Sequence, residues 1–430
     1  MARPRSSRLA AATIVARRAR QSSRPATRQR ATRPLHCGPA AARPGCPDLP
    51  SPSFSSGFPQ AFAPCRELGT DVASVPGQYR LLAIPMTDTT RGDTAMTPSR
   101  SQLLWMYEKM VEIREYEETM AKVYLEGKLP PKIQKGLAFD IGAGPVPGEM
   151  HLAAGQEPVA VGVCAHLTPD DTVVGAHRPH HFAIAKGVPL DEMTAEIFGK
   201  KTGLGKGKGG HMHLFHPPTK FSCSGIVGAG APQACGAALA ARKLGRDWVA
   251  VAFFGEGAAN QGAFHEALNL AALWKLPVLF IVEDNKYGIS VEKSESTAVP
   301  SNDLRAPGYG IPGVLVDTND PVRVFEAAGV AVARARRGDG PTLIEVKTDR
   351  YLGHFQGDPE TYRPKDEARQ LRARDPIDLL GARLRADGVL DEAADLALRA
   401  AVSERIQAAY VFARNSPYPR PEAALENVFA

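Results

Sequence analysis

Cysteine is scarce in this chain, and what there is forms no pattern. Six occur in 430 residues. Cys37, Cys46 and Cys65 lie in the opening segment, and Cys164, Cys223 and Cys235 lie in the body, with no CxxC pair. This excludes a disulfide framework and a cysteine-based zinc site, and it points to a reducing compartment. Long apolar runs are missing too: none reaches the ~18 residues a membrane span needs. Acid is missing from the start of the chain, where the first carboxylate is Asp48. The net charge of +6 is therefore concentrated in an Arg-rich opening, and charges beyond Met86 are mixed in sign. The arginines of that opening have no interleaved aromatics and no domain to present them. No nucleic-acid partner is expected.

Residues 1–95 are set aside for this reason. Their Arg-rich, Ser-rich, acid-poor composition fits an organelle transit peptide, which would place the protein in the mitochondrial matrix. The other reading is translation from a start codon set too early, with Met86 or Met96 as the true start, in a protein of the bacterial cytoplasm. In either case the segment is expected to be disordered. One domain is expected over residues 96–430.

The remainder is an ordinary globular sequence, 43% hydrophobic and 23% charged over the whole chain. Thr97-Pro98 predicts the start of a helix that runs to Gly127. A Pro- and Gly-rich loop follows over 128–148. Further helices are predicted in "QEPVAVGVCAHL", "DEMTAEIFGK", "PQACGAALAARKLG", "QGAFHEALNLAALWK" and "PVRVFEAAGVAVARARRGDG". Strands are predicted in "DTVVGAH", "WVAVAFFG", "PVLFIVEDN" and "PTLIEVKTDRY". Residues 199–210 read as a mobile basic loop, and the chain beyond 366 as helical. Apolar strands alternating with helices imply a doubly wound α/β fold. Its mostly parallel sheet is covered on both faces.

The informative stretch is Phe253 to Gly288, "FFGEGAANQGAFHEALNLAALWKLPVLFIVEDNKYG". A right-handed crossover brings Glu256 and Asn285 out at the same sheet edge, where open α/β sheets bind ligands. A carboxylate, an amide oxygen and a nearby carbonyl, with Tyr287 the candidate, are hard oxygen ligands. They suit Mg2+ or Ca2+ held jointly with phosphate. Asn260, near the next helix start, adds a polar group where the helix dipole favours anions.

This stretch resembles the thiamine diphosphate motif, in which Gly-Asp-Gly is followed at a distance by Asn. More closely, it is similar to the alpha subunit of the 2-oxo acid dehydrogenase first component, of the pyruvate and acetoin types. The resemblance spans residues 97–415. It also rests on "GEMHLAAGQEP", "GAHRPHHF", "GLGKGKGGHMHL", "GIVGAGAP" and "RYLGHFQGDPETYR".

The resemblance implies thiamine diphosphate and Mg2+ as cofactors, and the fold of that coenzyme's binding domains. Glu256, Asn285 and the Tyr287 carbonyl would hold the metal. Gly257 and Ala258 would lie along the diphosphate, and Arg178 would contact a phosphate oxygen. His177 and Arg178 stand where the family has Tyr-Arg. Gly225 and Val227 would make backbone contacts to the aminopyrimidine, and Ile226 would pack under the coenzyme's bend. His151 matches a histidine near the thiazolium. His354 matches a loop histidine associated with acyl transfer to lipoyl.

Two departures stand out. Glu256 replaces the usual Asp, and Phe355 stands where animal pyruvate enzymes carry a phosphorylatable Ser. No carboxylate in this chain is assigned to activating the coenzyme. The resemblance places that group on a beta subunit, in an α2β2 assembly, with the product passed to a lipoyl-bearing acyltransferase. Phe355, after the loop histidine, leans toward the acetoin type.

Other readings compete. A nicotinamide-binding fingerprint would need Gly at position 260, which is Asn, and Lys206 and Lys208 in "GLGKGKGG" are each followed by Gly, unlike a P-loop lysine. A catalytically inactive assembly or regulatory subunit is the remaining alternative. "HMHLFH" has three histidines but no acidic or thiol partner close by, and it reads as a coenzyme lid rather than a zinc site. His180 and His181 are expected to face solvent or to support the site, and His265 to be structural.

Overall fold

A computed structural model describes residues 96–128 and 140–427. The expectation of disorder over 1–95, and part of the predicted loop at 128–148, lie outside these residues. In chain order the described helices are α1 (Arg100–Tyr124), α2 (Glu157–Cys164), α3 (His180–Lys186), α4 (Leu190–Ile197), α5 (Gly230–Lys243), α6 (Gly262–Leu273), α7 (Lys293–Ser296), α8 (Pro321–Arg336), α9 (Glu367–Arg372), α10 (Pro376–Ala386) and α11 (Glu392–Asn415). The described strands are β1 (Thr172–Gly175), β2 (Phe215–His216), β3 (Phe221–Cys223), β4 (Ala250–Gly255), β5 (Val278–Asp284), β6 (Tyr287–Gly288), β7 (Val291–Glu292), β8 (Gly313–Val316) and β9 (Thr342–Lys347).

Seven strands form one sheet in the order β2-β3-β1-β4-β5-β9-β8. All neighbours pair parallel except β2, which returns antiparallel on β3 at the edge. The long apolar runs become the central strands because both of their faces are covered. Val251, Phe253, Leu279, Ile281, Ile344 and Val346 point into a core shared with α1, α2, α3 and α8. The intervening Ala252, Phe254, Val278, Phe280 and Val282 point into a second core with α5 and α6. Alternation within a strand sends successive side chains to opposite faces, so an unbroken apolar run is what a two-sided burial requires. Each fully buried Phe or Leu contributes about 1.5–3 kcal/mol relative to exposure.

The first helix starts later than the sequence suggested. Ser99 is its cap: Gln102 N–H donates to Ser99 Oγ at 3.3 Å, and Ser99 N–H donates to Gln102 Oε1 at 2.9 Å. This reciprocal box satisfies two end donors, and leaves Pro98 outside the helix. The helix ends at Tyr124, with Gly127 in the left-handed turn after it (φ 76°). Strands β2, β3, β6, β7 and β8 were not predicted; each is four residues or fewer.

Candidate active site

Strands β4 and β5 run parallel with Gly255 opposite Glu283. Glu256 and Asn285 therefore leave the same edge side by side, and the backbone N–H of Asn285 donates to Glu256 Oε2 at 3.3 Å. The two strand tips touch through glycine. A Cβ on Gly257 would sit 3.4 Å from the Cα of Gly288, at the close end of ordinary van der Waals contact. Beside them lies a cavity of about 530 Å³. Every residue that the resemblance assigns to the site lines it: Glu256, Gly257, Ala258, Asn285 and Tyr287 from these tips, His177 and Arg178 from the loop after β1, Gly225, Ile226 and Val227 from the loop before α5, and His151 and His354 from two further loops.

Glu256 is 2% exposed and has no Lys, Arg or His ion-pair partner among the described residues. Burial pushes its carboxyl up to about 7, with the Asp284 charge adding to the effect. A buried carboxylate without a cation is costly unless something else supplies positive charge. Asp284 itself faces away and is neutralised by Lys293 (2.6 Å) and Lys347. The side-chain NH2 of Asn285 donates to Gln156 Oε1 at 2.8 Å, which leaves Oδ1 as the acceptor on the cavity side, where Tyr287 N–H lies 3.4 Å away. The donor set is oxygen-rich and hard, and it fits a divalent cation of the Mg2+ class.

Two arginines border the cavity. Arg178 is fully enclosed, and its Nη groups donate to the carbonyls of Leu152 (2.8 Å) and His354 (2.6 Å) and to His354 Nδ1 (3.1 Å). Burial, then the nearby Arg350 charge, lowers it to about 9. Arg350 was not singled out from the sequence, although it opens the quoted "RYLGHF". Its Nη2 donates to Tyr362 Oη at 2.8 Å, and its Nε is buried with no partner. A buried, unsatisfied guanidinium donor on the cavity wall calls for an anion. The Arg350 Nη groups also lie 3.5 Å from the Tyr287 carbonyl and 3.3 Å from the Ile289 carbonyl.

Four histidines cluster at the other end. The ligand nitrogens of His151, His177 and His354 lie within 4.8 Å of one another. His211 packs on His151, with ring centroids 5.3 Å apart. Burial and the Arg178 charge hold His151 and His177 far below the ordinary imidazole range, and bring His354 down to about 4. The neighbouring Arg178 and Arg350 disfavour a dication among these rings. The three histidines of "HMHLFH" do not converge: His211 joins His151, while His216 bonds Thr219 Oγ1 at 2.9 Å.

Several expectations need correction. Asn260 does not face the cavity. Its amide donates to Ser296 O and Thr297 Oγ1 and accepts from Arg305, so it ties loops together. Of the two placements expected for His180 and His181, solvent is excluded: both are buried, against Glu117 (3.2 Å) and Glu283 (2.8 Å). The glycine-rich loop at 199–210 is anchored rather than free. The N–H groups of Gly205, Gly207 and Gly209 donate to the buried Glu196 carboxylate at 2.7, 2.8 and 2.6 Å. Of the residues just beyond it, Met212 lines the cavity, and His211 is buried behind His151. His265 is structural as expected, hydrogen-bonded to Tyr309 Oη.

Residues 136–422 match the family model described as dehydrogenase E1 component. The chain belongs to that family. E1 components depend on thiamine diphosphate. Among its relatives, the chain is 44% identical over 333 residues to the alpha subunit of acetoin:2,6-dichlorophenolindophenol oxidoreductase from Bacillus subtilis, covering 77% of this chain and 94% of that one. The like-named subunit from Cupriavidus necator is 42% identical over 347 residues, covering 80% of this chain and 99% of that one. The alpha subunit of the pyruvate dehydrogenase E1 component from Zymomonas mobilis is 37% identical over 361 residues, covering 83% and 92%.

This E1 alpha subunit is thus an oxidoreductase chain of the acetoin and pyruvate dehydrogenase type, and the nicotinamide-binding reading falls away. The Gly255-Glu256-Gly257 turn leads from a strand into a short 3-10 helix over Glu256–Asn260, not directly into α6. The cavity mouth of the E1 alpha chain is apolar: Ile226, Val227 and Ile289 are 68, 55 and 61% exposed. Among the described residues, no helix is long and apolar enough to cross a membrane.

Proposed function

We propose that the cavity holds thiamine diphosphate through Mg2+, and that the chain works with a beta subunit to cleave acetoin and pass the acetyl product to a lipoyl carrier. The coenzyme supplies an electron sink for breaking a C–C bond next to a carbonyl. The observation that carries the metal assignment is Glu256. It is a buried carboxylate lacking a cation, bonded to the next strand tip through Asn285 N–H.

In this reading Glu256, Asn285 Oδ1 and the Tyr287 carbonyl hold the metal, and Gly257 and Ala258 let the diphosphate approach. Arg350 and Arg178 supply guanidinium charge to the wall where the diphosphate would lie, and Arg178 also holds the His354 loop. Gly225 and Val227 offer backbone groups to the pyrimidine, with Ile226 beneath the bend. The apolar mouth at Ile226, Val227 and Ile289 is where a beta subunit would close an α2β2 assembly, excluding water. His151 and His354, which also line the cavity, would face the reacting carbon. The domain at 96–430 would be one thiamine diphosphate-binding unit, in a bacterial cytoplasm.

Acetoin is preferred to pyruvate because the relatives named for acetoin show the higher identities over nearly their whole length. Co-expression with a transketolase-like beta chain tests the reading. The reconstituted pair should reduce dichlorophenolindophenol with acetoin, and faster than with pyruvate. Thermal unfolding should shift upward with thiamine diphosphate plus Mg2+. No shift with or without the beta chain would instead make this an inactive assembly subunit.

A further inference from the structure

His211 Nε2 meets residue 151 twice, with the backbone N–H of His151 at 3.2 Å and its ring Nδ1 at 3.1 Å. A backbone amide can only donate, so His211 Nε2 presents a lone pair. The ring contact then requires the proton on Nδ1 of His151, which leaves His151 Nε2 bare. The opposite holds at His354. Arg178 Nη2, which also can only donate, lies 3.1 Å from His354 Nδ1. That nitrogen is bare, and the proton of the neutral ring sits on Nε2. The rings of His151 and His354 stand edge to face with centroids 4.8 Å apart, and both line the cavity.

We propose that His211 is a positioning residue that fixes His151 as a hydrogen-bond acceptor opposite His354 as a donor, so that the site selects a 2-hydroxy ketone over a 2-oxo acid. A 2-hydroxy ketone offers an O–H to the bare nitrogen and a carbonyl oxygen to the N–H. A 2-oxo acid brings a carboxylate, which the lone pair of His151 Nε2 repels. Its other charged and titratable neighbours are Glu149, whose carboxylate is 3.9 Å from Nε2, and Arg178, His177 and His354. Glu149 adds to the rejection of an acid. Depressed basicity of both rings keeps them neutral near pH 7, as the opposed arrangement needs. The inference rests on reading the cavity as the E1 reaction site.

Two measurements test it. Histidine-selective 15N NMR on the full chain without coenzyme reads the tautomers directly. A protonated Nδ1 at His151 and a protonated Nε2 at His354 are expected, and the reverse at either ring overturns the proposal whatever the enzyme's activity. In the reconstituted alpha–beta pair, His211→Leu removes the acceptor while His211→Gln retains one in its amide oxygen. Removing such an orienting partner should lower kcat/KM for acetoin by about ten- to hundredfold, and His211→Gln should recover most of it. Equal loss in both variants, or no loss in His211→Leu, overturns the positioning role. A pair that turns over neither acetoin nor pyruvate defeats the functional reading, and the NMR result still decides the histidines.

Discussion

Lys293 reaches Asp284 at 2.6 Å, and so locks the residue directly before Asn285. The same lysine meets Glu345 at 2.7 Å, and its backbone N–H holds the Lys286 carbonyl at 2.8 Å. It therefore grips both sides of the turn that carries Asn285, with Lys286 in the left-handed region (φ 77°). Lys293→Met leaves two buried carboxylates with Lys347 alone. We expect a loss of about 3 kcal/mol in urea unfolding, at the low end for a broken buried pair because Lys347 remains. Mg2+ should bind roughly ten- to hundredfold more weakly by titration calorimetry with thiamine diphosphate present.

Glu256 should set the pH dependence of the proposed metal site. Its folded-state carboxyl titrates at about 7, above the ordinary 4.5. For a raised acid, the folded chain binds the extra proton, so its stabilising contribution is complete below the ordinary value and is lost as pH rises to about 7. Without metal, Glu256→Gln should flatten that decline in melting temperature. With metal, affinity should climb by up to about tenfold per pH unit below 7, because the cation displaces the proton, and level off above it.

Arg350 should discriminate by phosphate. It is a buried guanidinium bordering the cavity, with a nitrogen that has no partner. Arg350→Met should weaken thiamine diphosphate by about 1.5–3 kcal/mol, or roughly ten- to a hundredfold in Kd. Thiamine without phosphate should bind the variant and the parent equally. A fluorescence titration of both ligands checks this.

Glu196 is the anchor of the glycine-rich loop. Its carboxylate accepts from Gly205, Gly207 and Gly209, and a Cβ at Gly203 would come within 2.4 Å of the Glu196 backbone. Glu196→Ala should destabilise the chain by about 3 kcal/mol in urea unfolding, since three charge-assisted bonds are lost together. Proteolytic nicking should appear between Lys200 and Lys208 in the variant before the parent.

Long apolar strands and their order were legible because a two-face-buried strand needs an unbroken apolar run, as in "WVAVAFF" and "PVLFIVE". The strand-tip pair followed from that order. Short edge strands were not legible: β2 and β3 depend on pairing partners rather than on their own few residues. Arg350 escaped notice because its signal is a buried unsatisfied nitrogen, which no residue pattern encodes. The roles of Asn260 and of Glu196 were hidden for a related reason. The first is decided by partners from Ser296 to Arg305, 36 to 45 positions away, and the second by backbone amides 9 to 13 positions on, which no side-chain pattern marks. The pairing of His211 with His151 spans sixty positions, beyond any local motif.

If the beta subunit seats on the uncovered aliphatic rim of Ile226, Val227 and Ile289 as proposed, that rim fixes an order of events. A second chain seated there would shut the doorway, so the small molecule must enter first and the protein partner second. Once loaded, its residence time becomes the lifetime of the quaternary contact rather than of its own hydrogen bonds. Dilution that separates the chains would then strip the enzyme of its coenzyme as well.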